Sequence, residues 1–66
     1  MNKAIEILPE PGRQLHLMVF GRFGFTGYYD GGLNLFYVDM AVSGPAYYGP
    51  LVIEWIYKSK HNEKEK

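Results

Sequence analysis

From Gln14 to Tyr29 the chain alternates with a period of two. Leu15, Leu17, Val19, Gly21, Phe23, Phe25, Gly27 and Tyr29 fall in one phase, and Gln14, His16, Met18, Phe20, Arg22, Gly24, Thr26 and Tyr28 in the other. A strand sends successive side chains to opposite faces, so an unbroken phase of this length predicts extended structure and not a loop. Asp30-Gly31 follows, a dipeptide suited to the two-residue type I′ turn that closes a β-hairpin. A turn there would set Phe25 opposite Phe36, Phe23 opposite Val38 and Gly21 opposite Met40. On the other side of the ribbon it would set Arg22 opposite Asp39, Thr26 opposite Leu35 and Tyr28 opposite Leu33.

The flanking segments are shorter. Lys3–Leu8 alternates weakly and stops at "PEPG", and "SGPAYYGP" (Ser43–Pro50) reads as a turn or short Ω-loop presenting Tyr47 and Tyr48. "LVIEWIY" (Leu51–Tyr57) alternates again, and its β-branched and aromatic content favours a strand. The pattern predicts a single all-β domain over residues 1–57. Its architecture is a small antiparallel meander of three to four strands with a long central hairpin turning at Asp30-Gly31. An α+β fold is the alternative, should residues 51–57 be helical. Residues 58–66, "KSKHNEKEK", read as a charged, flexible tail.

The two faces of the predicted hairpin differ. Leu15, Leu17, Val19, Phe23, Phe25, Phe36, Val38, Met40 and Val42 form the expected core. The second face mixes Met18, Phe20, Tyr28, Leu33, Leu35 and Tyr37 with Gln14, His16, Arg22, Thr26 and Asp39. A solvated face of an antiparallel sheet is mostly polar. One that is half apolar and carries tyrosines has the composition of an interface.

Length and charge sharpen this. Sixty-six residues support one small core, and domains of that size usually gain stability from a disulfide, a metal or a partner chain. There is no cysteine, and His16 and His61 lie in no metal-like spacing, so no cofactor or metal is expected and a homo-oligomer, a dimer first, is. All eleven aromatic residues fall between Phe20 and Tyr57, where the only charges are Arg22, Asp30, Asp39 and Glu54. No apolar run approaches the ~20 residues that span a bilayer. Glu6 interrupts the first apolar stretch and spoils a signal peptide, so a cytoplasmic protein that does not enter membranes is expected.

Chemistry is sparse. Ser43, Ser59 and Thr26 are the only hydroxyls besides the tyrosines, no elbow motif surrounds them, and the carboxylates show no paired spacing, so no enzyme is expected. "RFGFTGYYDGG" with "LFYV" downstream resembles the RNP1 signature of RNA-recognition and cold-shock domains, with Arg22 where that signature has a glycine. The resemblance covers about twenty residues, and it implies base stacking by Phe23, Phe25 and Phe36 beside Arg22. The body carries little positive charge to support such a groove. The reading that follows is a non-enzymatic protein-interaction module. It would be an accessory subunit, or an inhibitor of the kind phages and mobile elements encode, docking on a larger complex through Phe20, Tyr28, Leu33, Leu35, Tyr37, Tyr47 and Tyr48. A single-stranded nucleic-acid-binding module using Arg22, Phe23, Phe25 and Phe36 is the alternative.

Overall fold

A computed structural model describes residues 1–40 and 44–58; Val42, Ser43 and the tail from Ser59 lie outside the described residues. The strands are β1 (Asn2–Lys3), β2 (Leu15–Val19), β3 (Arg22–Asp30), β4 (Leu35–Met40), β5 (Gly44–Tyr48) and β6 (Ile53–Tyr57), with a 3₁₀ turn over Pro50–Val52 before β6. They form one antiparallel sheet in the order β1-β6-β2-β3-β4-β5. The protein is all-β, and β2 to β5 are a simple meander. Residues 51–57 hold no α-helix.

Three local expectations are corrected. The run Gln14–Tyr29 is two strands, because the chain reverses at Phe20-Gly21, with φ of 51° and 77° and Val19 opposite Arg22. Positive φ at both central residues is what a type I′ turn requires. A two-residue turn alone would swap the parity of the facing residues. The register shifts again between Leu17 and Val19, where β3 carries one extra residue beside Gly24 at φ 103°. This bulge restores the parity, so Leu15 meets Gly27, Leu17 meets Phe25, and the alternation reads as if uninterrupted.

The second correction concerns the loop after Asp30. The reversal begins there as expected but takes four residues, Gly31–Asn34. The Asp30 carboxylate accepts the N–H groups of Gly32 (3.0 Å) and Leu33 (3.1 Å), and its carbonyl accepts that of Asn34 (2.8 Å). Asn34 takes the left-handed conformation, φ 59°, that asparagine tolerates. The Tyr29 hydroxyl donates to Asn34 Oδ1 at 2.6 Å and locks the loop. Tyr28 therefore opposes Tyr37 and Thr26 opposes Asp39, so the expected Arg22–Asp39 pairing does not form. The displacement is an even number of residues, so the two faces keep their identities.

The third correction is that Ser43–Pro50 is not simply a loop. It contains the edge strand β5, paired along its whole length with β4.

The buried residues are Ala4, Leu15, Leu17, Val19, Tyr29, Phe36, Val38, Ile53 and Trp55, with Phe25, Met40, Tyr48, Val52 and Tyr57 packed at the margin. Apart from Ala4 and Val52, all lie on strands and on one face of the sheet. The sheet bends around them. Phe20, at the β2–β3 turn, meets Tyr48 of β5 edge-to-face at 5.9 Å. In a flat sheet two to three strand spacings, about 10–14 Å, would part them. The chain between β1 and β2 covers the remaining opening. The Trp55 indole N–H donates to the Ile7 carbonyl (2.9 Å), the Glu10 N–H to the Tyr57 hydroxyl (2.9 Å) and the Gly12 N–H to the Tyr29 carbonyl (3.0 Å). Arg13 lies over the Tyr57 ring at 3.9 Å and pairs with Glu10 at 3.3 Å.

Gly27 sits within the core face where β3 and β4 approach closely. A β-carbon there would overlap the Tyr37 carbonyl and press on Leu17 Cδ1. Phe23, expected in the core, is 70% exposed, because the bulge at Gly24 turns it off that face.

Candidate functional site: a tyrosine row on the outer face

The face turned away from the core carries one organised cluster. Tyr28 on β3, Tyr37 on β4 and Tyr47 on β5 are directly opposite one another across three strands. The Tyr28 and Tyr37 rings stack at 4.9 Å with an 18° interplanar angle, and Tyr37 meets Tyr47 edge-to-face at 5.6 Å and 73°. Cross-strand aromatic pairs contribute about 0.2–1 kcal/mol each. Loss of hydration, followed by the proximity of Tyr47, Asp30 and Tyr37, raises the pKa of the Tyr28 phenol above its ordinary value. Tyr28 thus stays protonated at physiological pH, and a tyrosine hydroxyl can donate or accept. Beside it lie Thr26, Asp39 and Pro45 in register on one side, and Leu35 opposite Asp30 on the other.

The seven residues expected to form an interface divide into three groups. Tyr28, Tyr37 and Tyr47 form the row, and half-buried Leu35 adjoins it. Leu33 is exposed in the β3–β4 loop. Phe20 and Tyr48 pack on each other at the opposite face, where the Tyr48 hydroxyl reaches Met40 Sδ at 3.6 Å. Phe20 is thus not a member of the outer face, since it occupies the turn between β2 and β3.

The stacking set is also divided. Phe36 is completely buried, Phe25 is packed against the core, and only Arg22 and Phe23 are exposed. The three phenylalanines make no common platform. Among the described residues no group of three or more His, Asp or Glu side chains is close enough to hold a metal ion. No buried side-chain nitrogen or oxygen there lacks a hydrogen-bond partner. No helix among them is long and apolar enough to cross a membrane.

No family model, no curated protein and no solved structure matches the chain. The geometry of the tyrosine row therefore carries the functional reading by itself.

One feature escaped the sequence reading. β5 is an edge strand, and "GPAYY" announced it: proline is tolerated within a sheet chiefly at edges, where its missing N–H faces away from the ladder. The stacking of Tyr28 on Tyr37 depended on the four-residue loop, for which the sequence has no comparably strong signal.

Proposed function

We propose that the protein is a non-enzymatic interaction module that self-associates and docks on a larger protein through Tyr28, Tyr37 and Tyr47, as an accessory subunit or an inhibitor. The observation that carries this reading is the register of the three rings on the face the core does not use. Tyrosine brings a large contact area with few rotors to immobilise, and its hydroxyl supplies direction, which is why it is enriched at protein interfaces. The row and its register neighbours Thr26, Asp39, Pro45, Leu35 and Asp30 include no Lys or Arg, which favours a protein surface over a phosphate backbone, whose binding depends on those residues.

The test compares wild type with Tyr37→Lys as baits in nuclease-treated lysate of the source cells. A stoichiometric protein retained by wild type and lost with the folded variant supports the reading. Retention by both removes the row from the interface. Partners that vanish on nuclease treatment, with affinity falling steeply in salt, would favour nucleic acid instead.

A further inference from the structure

The backbone polarity can be traced strand by strand to the free edge of β5. Lys58 donates its N–H to the Gln14 carbonyl (3.1 Å) and Phe20 donates its own to the Val52 carbonyl (2.9 Å). Even-numbered residues of β2 therefore turn their backbone groups toward β6, and odd-numbered ones toward β3. Leu15 opposes Gly27 and Leu17 opposes Phe25, so odd residues of β3 face β2, as the Gly12–Tyr29 hydrogen bond requires. Even residues of β3 face β4, meeting Tyr37 and Asp39, and even residues of β4 face β5, meeting Tyr48, Ala46 and Gly44. By the same alternation Pro45 and Tyr47 turn their backbone groups outward. Gly49 continues in extended conformation (φ −77°, ψ 164°), and its carbonyl accepts the Val52 N–H at 3.4 Å.

We infer that the free edge of β5 pairs with β5 of a second copy of this chain, antiparallel about a two-fold axis at Tyr47. In that register Tyr47 faces its own copy and Gly49 faces Pro45. The two Tyr47 residues exchange two N–H···O=C bonds, and each Gly49 N–H meets a Pro45 carbonyl, making four bonds in all. The donor that proline lacks would have pointed at the Gly49 carbonyl, which Val52 already occupies. The edge is self-complementary in hydrogen bonding.

It is self-complementary in charge as well. A two-fold axis brings like side chains of the two copies together, so a charged edge would oppose itself. Residues 44 to 50 carry no charge. The pairing would also join the two tyrosine rows into one strip of six rings on a continuous sheet. The other edge of the sheet is β1, whose two residues offer a shorter ladder than the five of β5. An edge this short makes a small interface, so the dimer is concentration-dependent.

This inference rests on the self-association in the proposed function and not on docking to a larger protein. The test uses sedimentation equilibrium from ~1 μM to ~1 mM, together with single cysteines placed in the naturally cysteine-free chain. An antiparallel hydrogen-bonded pair has Cα atoms about 5.5 Å apart, within the range a disulfide spans. The expected result is a doubling of mass with concentration, and rapid disulfide dimerisation of Tyr47→Cys but not of Phe23→Cys, an exposed control remote from the edge. Should Tyr47→Cys fail to fold, the double variant Pro45→Cys/Gly49→Cys must crosslink between copies instead. A monomer throughout overturns both the edge and self-association. A dimer whose cysteines at the edge react no faster than the control overturns the edge alone, leaving the dimer reading intact.

Discussion

The two faces of the sheet draw on the same residue classes and use them differently. On the inner face Phe36, Leu15, Leu17 and Val38 are almost wholly removed from water, and polar atoms appear only where a specific partner waits, as between Trp55 and the Ile7 carbonyl. On the outer face the aromatic residues are tyrosines, in register but still partly exposed, with no second layer above them among the described residues. Inner-face contacts are filled within the chain, whereas outer-face contacts are arranged but incomplete. Stability should therefore respond to the first face and association to the second.

The sharpest break of that contrast is Phe36→Ala. Truncating a buried phenylalanine costs about 3–5 kcal/mol, comparable to the whole stability of a domain this small, so urea denaturation should find the variant largely unfolded. Trp55→Phe comes next. It leaves the Ile7 carbonyl without its indole donor and should cost about 1–3 kcal/mol in the same measurement. Tyr37→Lys, by contrast, should change stability by no more than about 1–2 kcal/mol, the two cross-strand pairs it removes, while abolishing retention of the partner. A Tyr37→Lys chain as unstable as Phe36→Ala would erase the distinction between the faces.

The smallest effect is a titration. The Tyr28 pKa is raised in the folded protein, so folding favours the protonated phenol there. Tyr28 thus costs no stability below the ordinary tyrosine pKa of about 10. Stability declines as pH rises from there toward the folded value. Phenolate absorbance should show Tyr28 ionising late, and Tyr47→Phe, which removes one of the causes, should lower its pKa toward the ordinary value.

Much of the fold was legible because hydrophobic alternation reports which face a residue occupies. It puts Leu15, Leu17, Val19, Phe36 and Val38 on the core face, and all five are buried there. Alternation does not report where a strand ends. The Phe20-Gly21 turn carries no asparagine or aspartate, and the bulge beside Gly24 repaired the parity that the turn disturbed, so the only visible sign of two strands was a pair of glycines. The Asp30 side chain misled in the opposite way. It accepts two loop N–H groups and so stabilises a longer loop than Asp-Gly usually makes. The site inherited both effects: Tyr28 and Tyr37 lay on the predicted face, but the register that stacks them did not follow from the dipeptide. Phe20 and Phe23 leave their expected faces for the same reason, since each sits where the phase is interrupted.

The position of β6 between β1 and β2 bears on how the chain is made. The residues that complete the central ladder of β2 are synthesised after those of the other described strands, and Trp55, which fastens the segment after β1, is among them. While a ribosome is still adding β5, one side of β2 has no neighbour and Leu15, Leu17 and Val19 lack the packing that Ile53, Trp55 and Tyr57 supply. The nascent chain can form its β2–β3 and β3–β4 hairpins early, yet it closes its core only when the last strand has left the exit tunnel. Folding is thereby tied to completion of the strand set, and a chain truncated before Ile53 would have an open edge at its centre, the kind of surface that quality-control proteases and chaperones recognise.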